Sequence, residues 1–190
     1  CNIEKINKIA KKHNIKVIYD AAHCFGVKYN NKSIFRYGDI STCSFHATKI
    51  FHTGEGGALF TENKNLLKKL FSHHNFGHEG QEKFTTLGIN AKMSELQAAM
   101  GLAVLPYINE IIKSRKKIVK YYLKNLNSCK TIKIRNNTIW NYAYFPIIFK
   151  SGKKLLSVKK NLEKNDIYIR RYFYPSLDKL PYTNDSNCYI

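Results

Sequence analysis

Apolar residues recur at Ile3, Ile6, Ile9 and Ala10, the spacing of one helix face, and predict a helix over residues 2–13. The run Val17-Ile18-Tyr19 follows at once and predicts a strand over 16–19, with Asp20 at its carboxyl end. Residues 27–36 read as a hairpin turning at Asn30-Asn31, because Asn tolerates the positive φ such a turn requires. Further strands are predicted at 40–45, ending near Ser44, and at 58–60, after a turn punctuated by Gly54, Gly56 and Gly57. Leu66, Leu67, Leu70 and Phe71 mark one side of a helix over 62–72. Residues 73–91 are rich in Gly and His and read as a functional loop. Ser94 opens a long helical pattern that Pro106 breaks or kinks and that resumes from Ile108 to Tyr122. After Asn127 the pattern changes, and a strand near 140–149, a helix near 153–164 and a strand near 167–173 predict a small β-α-β unit. Helices alternating with strands indicate an α/β fold, in which ligands bind at the carboxyl ends of strands.

Composition narrows the classes. The chain has 190 residues, 44% of them hydrophobic, enough to build a core. It has no apolar run of about eighteen residues, so no transmembrane helix and no membrane partner are predicted. Cys1-Asn2-Ile3-Glu4 already begins a polar helical pattern and does not read as a signal peptide. The five cysteines at 1, 24, 43, 129 and 188 are odd in number and form no C-x-x-C pair, which points to reduced thiols and a cytoplasmic protein. The net charge of +19 raises the question of nucleic acid. Its carriers are mostly Lys, spread over every predicted helix beside many Asn and Ile, a composition that reflects an AT-rich genome more than a binding surface. No nucleic-acid partner is therefore predicted; a basic binding module would instead show steeply salt-dependent affinity. The charge does suit anionic ligands.

Candidate chemistry centres on Asp20 and Lys49, the latter closing the run Ser44-Phe45-His46-Ala47-Thr48-Lys49. A lysine that can hold an aldehyde and a carboxylate that can hold a pyridinium proton are the two groups pyridoxal-phosphate chemistry requires. Spacing alone leaves the ordinary alternatives open, a solvated lysine and a turn aspartate. His73, His74 and His78, or His23, Cys24, Cys43 and His46, lack the ligand spacing of a closed metal site, and no metal is predicted. Gly54-Glu55-Gly56-Gly57 lacks the Lys-Ser/Thr of a phosphate-cradling loop and reads as a tight turn.

Four segments in order, "VIYDAAHCFG", "SFHATKIFHTGEGGALFT", "FGHEGQEKF" and "LGINAKMSELQAAMGL", resemble the DegT/DnrJ/StrS-type sugar aminotransferases. The resemblance runs from about Ile3 to about Leu177. It implies an aspartate-aminotransferase-like fold, that of the type I pyridoxal-phosphate enzymes. Residues 1–115 would be the carboxy-terminal part of the large cofactor-binding domain and 116–190 part of the small domain. Members of that family are much longer, so this chain is expected to lack a large amino-terminal portion and a shorter carboxy-terminal one. Its site would be incomplete alone, because the ring-stacking aromatic residue and a phosphate-binding helix N-terminus come from the missing portion.

By the same resemblance Lys49 would hold the cofactor aldehyde and Asp20 the pyridine nitrogen. Ser44 would contact the phosphate, and His23 would lie beside the phenolic oxygen or cap a strand end. Asn90 would reach the phosphate in the neighbouring subunit of a homodimer, or be a simple turn residue. Relatives follow this Asn with an aromatic residue and Arg; here Ala91 and Lys92 stand instead. Tyr172, Tyr174 and Pro175 are similar to a substrate-side stretch, or form a packed aromatic strand. The stretch around Phe76-Gly77-His78-Glu79-Gly80 is similar to transaminases that make dTDP-4-amino-4,6-dideoxyglucose. The implied reaction moves an amino group from an amino acid, glutamate foremost, to dTDP-4-keto-6-deoxyglucose. A 3-keto-sugar nucleotide acceptor and a non-catalytic regulatory relative are the alternatives.

Overall fold

The structure is a computed structural model and describes residues 1–126 and 129–183. The chain divides into two compact units, Cys1–Pro146 and Ile147–Ile190.

The first unit opens with helix α1 (Ile3–Lys12), capped by the Asn2 side chain, which accepts from the Lys5 amide. Strand β1 (Ile18–Asp20) follows. A two-strand hairpin, β2 (Lys28–Tyr29) and β3 (Lys32–Ser33), turns at Asn30 and Asn31, with φ of 46° and 61°. These are the left-handed conformations that Asn tolerates better than other side chains. Strand β4 (Ile40–Ser44) lies parallel to β1 with Asp20 opposite Thr42, and β5 (Gly57–Phe60) runs antiparallel to β4 with Gly57 opposite Ser44. The sheet order is β1-β4-β5. Along β4 the buried residues are Ser41 and Cys43, the alternation of a strand covered more fully on one face.

Helix α2 (Lys64–His74) is capped by Asn63, and α3 (Glu95–Val104) starts on a capping box between Ser94 and Gln97. Pro106 sits in a 3-10 turn, Leu105–Tyr107, that joins α3 to α4 (Ile108–Asn125). The missing proline N–H falls where the chain is changing helix, so the pattern is broken locally and then continues. Short strands β6 (Lys130–Thr131) and β7 (Thr138–Ile139) follow, and β7 pairs antiparallel with β2. Residue 115, the expected domain boundary, lies inside α4, where the Arg115 guanidinium donates to the Ala143 carbonyl at 2.9 Å.

The second unit contains β8 (Ile147–Ile148) and α5 (Gly152–Glu163), capped by Ser151. Two sequence expectations change here. The strand expected over 140–149 contracts to Ile147–Ile148, and residues 167–173 form no strand. β-branched and aromatic residues favour a strand only where a neighbour supplies the ladder, and among the described residues none pairs with 167–173. Arg171 instead lies over the Tyr174 ring at 3.4 Å and Arg170 over Tyr172 at 5.0 Å.

Candidate active site

Four of the five predicted site residues lie on segments meeting at the carboxyl ends of β1 and β4. Asp20 ends β1 and Ser44 ends β4. The Ala21 amide donates to the Thr42 carbonyl at 3.0 Å, which locks the two strand ends together. Asp20 is exposed and accepts the Ala22 amide at 3.0 Å, fixing the first turn of the loop that carries His23.

Lys49 reaches the same place from the loop after β4. The Ser44 hydroxyl accepts from the His46 amide at 3.3 Å, and the Lys49 amide donates to the His46 carbonyl at 2.9 Å, so two local turns set the lysine's direction. Ile50 and Phe51, next in sequence, are buried. Phe51 stacks on Phe25 at 4.4 Å between ring centres and meets Phe45 edge-on at 4.9 Å. These three rings form an apolar cluster next to Lys49 in sequence. Lys49 Nζ stands 2.8 Å from His23 Nε2.

A Lys49 ammonium can only donate, and opposite it His23 would accept at Nε2 and carry its proton on Nδ1. The electrostatics agree. Burial first, and then the Lys49 charge, push the His23 imidazole below its usual range, and the Asp20 carboxylate pulls the other way. Burial pushes the Cys43 thiol up to about 12, and burial with the Asp20 charge raises Cys24. Both stay protonated and are poor nucleophiles at neutral pH.

The His23 loop is held by residues that sequence reasoning missed. Asn141, 1% exposed, donates from Nδ2 to the carbonyls of His23 at 2.9 Å and Phe25 at 2.8 Å, and accepts the Ala143 amide at 3.2 Å. Tyr144 packs its ring on His23 at 4.7 Å. Nothing local in the sequence marks either residue. The Gly54–Gly57 turn is tight, as expected: a Cβ on Gly57 would stand 2.8 Å from the Cys43 carbonyl oxygen, so only glycine fits beside Ser44.

Asn90 stands on another piece of the unit. Residues 73–91 fold back on themselves, with bridges between Asn75 and Asn90 and between His78 and Phe84. The turn is close enough that a Cβ on Gly77 would collide with the Thr86 carbonyl oxygen at 1.8 Å. The Lys92 ammonium donates to Asn90 Oδ1 at 2.7 Å. Among the described residues no hydrogen bond or ion pair joins Asn90 to Asp20, His23, Ser44 or Lys49. The histidines here serve the backbone and rings: His73 Nδ1 lies 2.6 Å from the Leu87 carbonyl oxygen, and His78 packs on Phe84 at 4.3 Å. No three His, Cys, Asp or Glu side chains among the described residues are grouped to share a metal ion.

The donor set at the strand ends suits pyridoxal phosphate: an amine, a carboxylate, an imidazole and a hydroxyl, each of a kind the cofactor's aldehyde, ring nitrogen, phenolic oxygen and phosphate can meet. Comparison with known proteins agrees with that chemistry. The dTDP-4-amino-4,6-dideoxy-D-glucose transaminase of Shigella dysenteriae is 39% identical over 180 residues, covering 92% of this chain and 49% of that enzyme. The Escherichia coli enzyme of the same name is 35% identical over 190 residues, covering 95% of this chain and 50% of its own length. The chain therefore spans about half the length of the curated relatives it matches. The crystal structure of an aminotransferase from Brucella abortus superposes with a TM-score of 0.88 at 25% identity, over 97% of this chain and 50% of that one. The expected fold is thus the one observed, in part. Residues 1–189 match the model of the DegT/DnrJ/EryC1/StrS aminotransferase family, and this chain belongs to that family.

Proposed function

We propose that this chain supplies the lysine half of the active site of a pyridoxal-phosphate-dependent sugar-nucleotide aminotransferase. The reaction moves an amino group from an amino acid, glutamate foremost, to dTDP-4-keto-6-deoxyglucose. The observation that carries the reading is the Lys49 amine 2.8 Å from the His23 ring, with Asp20 at the neighbouring strand end. The likeness to two dTDP-4-amino-4,6-dideoxy-D-glucose transaminases supports the choice of substrate.

Pyridoxal phosphate, when bound, supplies the electron sink that lets an amino group leave one carbon and enter another. The chain's own residues have separate tasks. Lys49 Nζ would hold the cofactor aldehyde and then carry the proton to and from the carbon that bears the amino group. Asp20 would keep a proton on the ring nitrogen. His23 would accept from the Lys49 ammonium at Nε2 and hold the amine in place before the cofactor arrives. Ser44 would donate its hydroxyl to the phosphate.

The reading extends to assembly. The protein works as a cytoplasmic homodimer in which Asn90 serves the partner's site. Leu87 and Ile89 beside Asn90, and Leu96 and Leu102 on α3, are exposed apolar residues that a second copy would cover. The four described cysteines are all free thiols, which suits a reducing compartment.

The test is borohydride reduction of the intact gene product with pyridoxal phosphate, followed by peptide mapping. The expected result is a pyridoxyl group on Lys49 and none in Lys49→Ala. A label on a different lysine would overturn the assignment. Product analysis by NMR then reads the aminated carbon, and a nitrogen at C3 would replace the 4-keto acceptor by the 3-keto one.

A further inference from the structure

Asn90 carries a side chain with two nearly isosteric ends. Oδ1 only accepts hydrogen bonds, and Nδ2 only donates them. A phosphate oxygen at neutral pH mostly accepts, so an Asn that binds phosphate must present Nδ2. An unrestrained amide presents either end at similar steric cost.

In this chain the choice is made by a neighbour. Lys92 Nζ lies 2.7 Å from Asn90 Oδ1. An ammonium has donors and no acceptor, so it can only face the oxygen end of the amide. Nδ2 is thereby turned away from Lys92 with both hydrogens available. The two side chains meet from positions two apart in the segment before α3.

The ammonium is itself fixed. It lies 4.1 Å from the centre of the Phe76 ring, inside the range where a cation is held by the ring's negative face. Phe76 is held by its backbone: its amide donates to the Ile89 carbonyl at 3.0 Å, and its φ is 57°. Asn90 is held from the same direction by its bridge to Asn75, and Ala91 donates to the His74 carbonyl at 2.9 Å. Phe76, Lys92 and Asn90 thus form a short chain of orientation running from the end of α2 to one amide.

We propose that Lys92, seated on Phe76, is a positioning residue that turns the Asn90 amide so that Nδ2 meets the phosphate of pyridoxal phosphate. The inference rests on the reading that Asn90 binds that phosphate. It makes the Lys92 donor, and not its charge alone, the quantity that matters.

The experiment is a titration of the apo form of the intact gene product with pyridoxal phosphate, followed by absorbance. It uses Asn90→Ala, Lys92→Met, Lys92→Gln and the double variant Asn90→Ala/Lys92→Met. Asn90→Ala and Lys92→Met should each raise the cofactor Kd roughly tenfold, the scale of one hydrogen bond to a charged group. Lys92→Gln keeps a donor for Oδ1 without the charge and should stay within about threefold of the parent by the same reasoning. The double variant should bind no worse than Asn90→Ala, because a residue that acts only through Asn90 has nothing left to orient. If Lys92→Gln binds as poorly as Lys92→Met, or if the two losses add, Lys92 acts by its charge and the proposal fails. If Asn90→Ala weakens binding and Lys92→Met does not, the proposal fails and the Asn90 reading stands. If Asn90→Ala has no effect, the Asn90 reading itself falls and the proposal with it. Should Lys92→Met not fold by circular dichroism, Lys92→Ala replaces it in the same cycle.

Discussion

His23 lies between a lysine that lowers its proton affinity and a carboxylate that raises it, with burial the larger influence. Its imidazole should titrate below the ordinary value of 6.5 in the apo protein, read by the NMR shifts of its ring. Lys49→Met should move that midpoint up and Asp20→Asn should move it further down; the reverse signs would show that the 2.8 Å contact is not the one operating in solution. The sign of the linked stability effect follows. The unfolded chain takes up the proton first as pH falls through the ordinary value, so stability is full above it and declines as pH falls toward the folded midpoint. The parent should lose more melting temperature on mild acidification than His23→Gln does. The positions of Asp20 and Ser44 at strand ends, with His23 and Lys49 on the loops that follow, were legible from the short apolar runs before them, whereas the roles proposed for them rest on the family resemblance. Asn141 was not legible, because its bond to His23 spans 118 residues and an isolated Asn in an aromatic stretch carries no local signal.

Between elements, the His23 loop depends on that same Asn141. Its Nδ2 is the donor for two backbone carbonyls, and the residue is 1% exposed, so no water stands in easily. Asn141→Ala should cost on the order of 2–3 kcal/mol of unfolding free energy, the penalty for buried carbonyls left without partners. Urea unfolding of the intact gene product measures this, and a cost below about 0.5 kcal/mol would show that the loop is held elsewhere. The elements themselves were readable where the signal is local. The Ile3, Ile6, Ile9, Ala10 face became α1, Asn30-Asn31 became the hairpin turn, and Ser94 became the N-cap of α3. Residues 167–173 failed as a strand because strand formation depends on a partner, and a partner's presence is not written in the strand's own residues. The fold-back of 73–91 was legible only as a loop. Its shape comes from contacts such as Gly77 against Thr86, which periodicity does not encode.

At a larger scale, the first unit exposes large apolar residues. Leu87 is 89% exposed and Leu96 85%, on the fold-back and on α3, on either side in sequence of Asn90. Burying one leucine is worth roughly 2 kcal/mol, so several left in water favour association with a matching surface. In the proposed homodimer a second copy would meet that need by two-fold symmetry, which would pair each patch with its equivalent and carry each Asn90 toward the other subunit. That proposed arrangement would also account for the absence, among the described residues, of a hydrogen bond between Asn90 and Lys49. Two variants of the intact gene product test it, Asn90→Ala and Lys49→Ala, each with impaired transamination. When they are mixed and allowed to exchange, a mixed dimer has one site with both defects and one with neither. Equal mixing makes half the dimers mixed, so about one quarter of the parent's sites should return. Exchange is confirmed with differently tagged subunits. If tagged mixed dimers form and no activity returns, Asn90 serves its own subunit, and the exposed leucines are covered in some other way.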